Sequence, residues 1–300
     1  MFSKIFFSTD KKGIPSDPAK LDETLPVLKP DFGLESSLSM TWIGHATCFV
    51  NLESVHFVTD PIWSPRASPF KSVGPKRYRP PPCTIEELPV VHFAVISHNH
   101  RDHFDIPSIR NLAQRFPTLI WFVPKGLKRD IEPIVGINTV YEMTWGESKM
   151  VEFNNTKTTI WCVPAQHWSR GGFLSYIFGG RSLWCGWAVV GPNRRFYYTG
   201  DTGFCEDEFK KIGCYAPRDM MSSQHVDLTE ATKIHKLVKA KKSIGIHWGT
   251  YDLGSHFYLE PREKLPEFCK NAGIDSERFT TINLGETWIV EDDAKKEAKM

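Results

Sequence analysis

Apolar and polar positions along this chain fall into short strand-like runs that give way to helical spacing. Met40-Thr41-Trp42-Ile43, Cys48-Phe49-Val50-Asn51-Leu52 and Val55-His56-Phe57-Val58 are three β-rich segments split by Gly44 and by Glu53-Ser54, which predicts a meander closed by Asp60-Pro61. Val90-Val91-His92-Phe93-Ala94-Val95-Ile96 is almost unbroken in its apolar character, the mark of a strand covered on both faces. Ser108 to Phe116 has helical spacing, Thr118 to Val123 is strand-like, and Lys125 to Ile131 predicts a second helix before Pro133. Thr156 to Val163 predicts a strand, and Leu183 to Val190 with Phe196 to Thr199 predict a hairpin around Gly191-Pro192-Asn193. Asp227-Leu228-Thr229-Glu230 has the form of a capping box, opening a helix to about Lys239. Ser243 to Ile246 reads as a strand, Glu260 to Ala272 as a helix with Pro261 in its first turn, and Phe279 to Val290 as a closing strand broken at Gly285. This alternation places the chain in the α/β class.

Between these elements the punctuation divides the chain. Residues 1–38, with Pro15, Pro18, Pro26 and Pro30, read as an extended arm; residues 39–290 as one domain; residues 291–300 as a charged tail. From Ser64 to Pro89 proline and arginine crowd together, which predicts either a solvated loop or a basic, aromatic-bearing surface for an anionic head group. No apolar run approaches the length of a membrane span, so any membrane contact is expected to be peripheral. The 41% hydrophobic and 13% aromatic content over 300 residues suffices for one large core. A net charge of +2 gives no reason to expect a nucleic-acid partner. Seven cysteines, none spaced C-x-x-C, indicate neither a disulfide framework nor a thiolate metal site and suit a reducing, intracellular setting.

Chemistry concentrates in Ser97-His98-Asn99-His100-Arg101-Asp102-His103, directly after the apolar strand. In an extended chain His98 and His100 share a face, and a chain that turns into a helix at Asp102 would point Asp102 and His103 back toward the same space. The ends of three later strands deliver His167, Asp201 and His247. Seven such residues suit two ions of zinc type: His98, His100 and His167 on one, Asp102, His103 and His247 on the other, with Asp201 between them. Paired ions lower the pKa of a shared water and stabilise charge on a carbonyl or phosphoryl oxygen, so hydrolysis by a metal-activated hydroxide is the expected reaction, with Asp102 and Asp201 catalytic. His56, His92 and His235 lie inside predicted elements and read as structural, His45 as ordering a turn or supporting a ligand, and His256 is undecided. His225, just before a helix N-terminus, is a candidate to donate to a phosphate.

The set His98-x-His100-x-Asp102-His103, His167, Asp201 and His247 resembles the metallo-β-lactamase superfamily, which implies a four-layered αββα sandwich with a dinuclear zinc site at one edge. A narrower resemblance runs from about Leu25 to Val290 through Trp42-Ile43-Gly44-His45-Ala46-Thr47, Gly74-Pro75-Lys76-Arg77, Gln166-His167-Trp168, Gly200-Asp201-Thr202-Gly203, Gln224-His225-Val226-Asp227 and Ile246-His247-Trp248-Gly249-Thr250. These stretches look like the N-acylphosphatidylethanolamine-hydrolysing phospholipases D. The resemblance implies two zinc ions per chain, a phospholipid substrate split into an N-acylethanolamine and phosphatidic acid, a homodimer, and a peripheral place on the cytosolic face of internal (Golgi or endosomal) membranes. It also implies that His225 touches substrate. Two departures stand out: the stretch from Asp201 to His225 is shorter than the family pattern by about one strand and its turn, and Arg101 stands where the family carries Tyr, still able to meet a phosphate. On the residues alone, hydrolysis of a thioester, lactone or other phosphodiester stays open, as does a shortened form that binds metal or lipid without turnover.

Overall fold

A computed structural model describes residues 13–70, 72–136, 139–169, 182–213, 225–253 and 257–290. Residues 214–224 of the short stretch between Asp201 and His225, Gln224 among them, lie outside the described residues, as do His256, the first part of the arm and the tail.

Seven strands form the first sheet. β1 (Leu38–Gly44), β2 (Thr47–Leu52) and β3 (Val55–Thr59) are the expected antiparallel meander, and β4 (Phe93–Val95), β5 (Ile120–Pro124) and β6 (Val140–Met143) continue from β3 in parallel. Every residue of β2 and β4 is buried, because helices cover one face of the sheet and a second sheet covers the other. The second sheet is antiparallel, in the order β10 (Arg195–Tyr198), β9 (Gly186–Val190), β8 (Thr156–Val163), β7 (Ser148–Phe153). Trp42, Phe57, Phe93 and Phe122 of the first sheet meet Ile160, Cys162, Trp187 and Val189 of the second in the main core. On the outer face Phe49, Val58, Ala94, Trp121 and Val123 pack against Ile109 and Leu112 of α2 (Ile106–Arg115) and Ile131 of α3 (Lys128–Val135). Around Phe279, Leu228 and Ala231 of α5 (Leu228–Leu237) pack with Leu265 and Cys269 of α6 (Glu260–Asn271), and α4 (Glu206–Gly213) lies beside α5. Layer by layer this is the expected αββα sandwich.

Several local expectations change. The arm is not wholly extended: Asp17 accepts from the Ala19 N–H and caps a helix, α1 (Pro18–Thr24), whose Leu21 is buried and is followed by buried Leu25. Arg79 fixes α1 from outside through a 2.6 Å ion pair with Asp22. The apolar strand is shorter than its run, since Val90 points into water. Phe279 to Val290 is two strands in different sheets: β12 (Phe279–Thr280) lies parallel to β11 (Ser243–Ile244), while β13 (Thr287–Ile289) returns to β1. Gly285 makes the change of sheet possible at φ +82°, where a Cβ would collide with the Leu28 carbonyl. Among the described residues β10 pairs only with β9, and β11 only with β12.

Candidate metal centre

One rim of the sandwich collects the loops that follow β4, β8, β10 and β11, so strand ends from both sheets aim side chains into the same space. After β4 the chain stays extended through His98, then turns as the His103 and Phe104 N–H groups donate to the His100 carbonyl at 3.0 and 2.8 Å. The helix expected from Asp102 starts only at Ile106, and it is this turn, not the helix, that brings Asp102 and His103 back beside His98.

Two four-residue clusters result. In the first, His100 Nδ1 lies 2.8 Å from His98 Nε2 and 3.2 Å from His167 Nε2, and Asp201 Oδ2 lies 3.9 and 3.7 Å from those two Nε2 atoms. In the second, His103 Nε2 is 3.1 Å from His247 Nε2, and Asp102 Oδ2 is 3.6 and 3.8 Å from the same pair. Asp201 Oδ1 sits 3.2 Å from both His103 and His247, so this carboxylate faces the two clusters with different oxygens. A tetrahedral ion bound at about 2.0–2.1 Å holds its ligand atoms about 3.3 Å apart, close to these separations. In each cluster four side chains bring potential ligand atoms within 4.8 Å of one another, His45 standing with Asp102, His103 and His247 in the second.

The protonation states suit a cation. Burial pulls the His100 and His247 imidazoles down to about 4 and about 3, and pulls His98 well below its usual range. Asp102 and Asp201 are buried too, which by itself opposes ionisation, but His103 and the neighbouring histidines hold both well below the carboxylate range. His103 goes the other way: burial disfavours its charge, and Asp201, Asp102 and Asp60 outweigh that. Neutral His98, His100 and His247 and ionised Asp102 and Asp201 are donors suited to divalent ions of zinc type, and an incoming cation would displace the proton that the carboxylates hold on His103.

Behind this shell lies Asp60, fully buried, which in the sequence looks only like the Asp-Pro end of a meander. Its carboxylate accepts from Ser97 N (2.6 Å), Ser97 Oγ (2.5 Å), Tyr198 OH (2.5 Å) and His103 Nδ1 (2.7 Å). Because the Ser97 hydroxyl spends its proton on Asp60, its oxygen accepts from His98 Nδ1 at 2.9 Å. One carboxylate thus orients a histidine in each cluster, directly for His103 and through Ser97 for His98, and leaves both Nε2 atoms facing inward. Its sequence signal was its place at a strand end, shared with the other ligand-type residues.

His45 fills both expected roles. At φ 53° it turns the chain after β1, with its N–H on Thr250 Oγ1 and its carbonyl accepting from His247 N, while its Nε2 lies 2.9 Å from Asp102 Oδ2. His225 stands at the outer edge, its Nδ1 3.7 Å from Asp201 Oδ2 and its ring 5.1 Å from that of His167. Arg101 shares the turn, but its charge is felt by Asp130 of α3, and among the described residues no hydrogen bond or ion pair ties it to the clusters. His56 and His92 pair with each other and with backbone, and His235 bonds Ser243 Oγ, all away from the rim.

Known proteins resemble this chain over most of its length. The Beta-lactamase superfamily domain matches residues 56–248. The chain is 46% identical over 315 residues to N-acyl-phosphatidylethanolamine-hydrolyzing phospholipase D 1 of Caenorhabditis elegans, covering 97% of this chain and 88% of that protein. Since 97% of this 300-residue chain is fewer than 315 positions, that relative carries residues this chain lacks within the aligned region. The mitochondrial enzyme of the same name from Saccharomyces cerevisiae is 29% identical over 94% of this chain and 69% of its own length. Among solved structures, the metallo hydrolase Igni18 of Ignicoccus hospitalis superposes with a TM-score of 0.61 at 18% identity, over 85% of this chain and 99% of that one, which shows the fold. The chain belongs to the metallo-β-lactamase superfamily and, within it, to the family of N-acylphosphatidylethanolamine-hydrolysing phospholipases D.

Proposed function

We propose that this protein is a dinuclear zinc phospholipase D that hydrolyses N-acylphosphatidylethanolamine to an N-acylethanolamine and phosphatidic acid. The observation that carries the reading is Asp201, whose two oxygens face two separate His-Asp clusters at one rim. His98, His100, His167 and Asp201 would hold one ion, and Asp102, His103, His247 and Asp201 the other. Bound there, such ions would supply an activated water and positive charge for phosphoryl oxygens. In the net reaction water adds to phosphorus, the bond to the N-acylethanolamine oxygen breaks, and that oxygen leaves with a proton.

The chain's own residues orient this chemistry. Asp60 keeps a proton on His103 Nδ1 and, through Ser97, on His98 Nδ1, while His45 holds Asp102 in place. His225 and Arg101 are the candidates for the non-bridging phosphate oxygens, and His225 is the better placed, being exposed and next to Asp201. The same reading carries a homodimer and a peripheral position on the cytosolic face of internal membranes.

The test is to load the purified chain with zinc, supply N-acylphosphatidylethanolamine in mixed micelles, and quantify N-acylethanolamine against Asp201→Asn. Release that falls to background in the variant is the expected result. Two zinc per chain and cooperative unfolding without any release would overturn this reaction and favour a form that binds without turnover.

A further inference from the structure

The segment from Trp63 to Thr84 takes no part in the metal centre, yet it holds two large apolar side chains in water: Phe70 is 66% exposed and Val73 60%. No Asp or Glu occurs between Asp60 and Glu86, while exposed Lys76 and half-buried Arg66 flank the tip. The segment is a braced finger. Arg66 and Lys76 form an antiparallel bridge, Ala67 N donates to the Pro75 carbonyl at 3.0 Å, Arg77 N to Pro65 at 2.9 Å, and Arg66 Nη1 to Gly74 at 2.6 Å. Gly74 makes the return at φ +104°, where a Cβ would stand 2.6 Å from Ser68 Cβ. Its root is continuous with the centre: Arg77 Nε donates to Tyr251 OH at 2.9 Å, and the Tyr251 ring lies 5.3 Å from the ring of His45, which holds Asp102. Ile62, Ala67 and Tyr251 form a small apolar cluster beneath it.

We propose that the tip of this finger, Phe70 and Val73 with Arg66 and Lys76, docks on an anionic phospholipid surface and seats the metal-centre rim against it. The proposal rests on the phospholipid-substrate reading and adds to it the surface that meets the bilayer. Two apolar side chains enter the interfacial layer while the cations stay with the head groups, and the lack of any carboxylate removes the repulsion that an anionic surface would otherwise feel. The rigid root then makes docking and the approach of substrate to the rim one event.

Co-sedimentation with vesicles of phosphatidylcholine, with and without phosphatidylserine, tests this. The wild type is expected to bind the phosphatidylserine vesicles, less so as salt rises. Phe70→Ser/Val73→Ser should bind about tenfold less or weaker still, and Lys76→Gln about fivefold less. Both variants should unfold at the wild-type temperature and hydrolyse water-soluble bis(4-nitrophenyl) phosphate at the wild-type rate. Wild-type-like vesicle binding by the double variant, or no binding by the wild type, overturns the proposal. So does a dimer that the double variant dissociates while vesicle binding persists, which assigns the tip to a second copy. Vesicle binding that the double variant loses, from a wild type inactive on every phosphodiester, upholds the surface and overturns the phospholipase reading.

Discussion

Asp60 shows how much of the candidate metal centre is organised by a carboxylate buried behind the two His-Asp clusters. A carboxylate with four donors can hold two imidazoles from different clusters in the tautomer that points Nε2 inward. Asp60→Asn keeps the size of the side chain but turns half of it into a donor, so it meets His103 Nδ1 and the Ser97 hydroxyl with the wrong polarity. Zinc affinity is expected to fall about 10- to 100-fold at both positions. Ser97→Ala, which breaks only the branch to His98, should weaken the first position and spare the second. Competition with a chromophoric chelator resolves the two, and equal loss in both variants would refute the shared-carboxylate account. Four of the seven candidate ligands were legible because their spacing is local, His98, His100, Asp102 and His103 falling within six residues after an apolar run, and the other three because each stands just past a strand. Asp60 was not, since its partners lie 37, 43 and 138 positions away.

Among the elements, α5 is the one whose start matters to the site, because His225 lies two residues before its cap. Asp227 accepts from the Glu230 N–H at 2.7 Å and Glu230 returns to the Asp227 N–H at 3.2 Å, the reciprocal pair read from the sequence. Asp227→Ala should cost about 1 kcal/mol in denaturant unfolding, and an unchanged midpoint would show that tertiary packing alone fixes the helix. Capping boxes are legible because both partners sit within four residues. β7 escaped notice because Ser148-Lys149-Met150-Val151-Glu152-Phe153 shows little apolar alternation and gains its conformation from pairing with β8. The closing strand was read as one because nothing local records that its two halves pair with β11 and β1.

For the molecule as a whole, the buried centre makes the metal-free protein sensitive to acid. His100 and His247, held by burial near about 4 and about 3, refuse protons that the unfolded chain takes up near about 6.5. Their contribution is present above that range and is lost as pH falls toward the folded values; His98 acts in the same sense, and the lowered carboxyls of Asp102 and Asp201 extend the loss further down. His103, raised, is protonated in both states below about 6.5 and loses its contribution only as pH rises above that. The melting temperature of chelator-stripped protein should therefore fall steadily from pH 7 to pH 4, and a flat profile would contradict these protonation states. The sequence distances within the two clusters also set an order in time. The first needs nothing beyond Asp201, whereas the second waits for His247, 144 positions after His103. On a ribosome adding about 5–20 residues per second, the two sets of ligands emerge about 2–9 s apart. A nascent chain can thus present one complete set of donors to a passing cation while the other is still unmade.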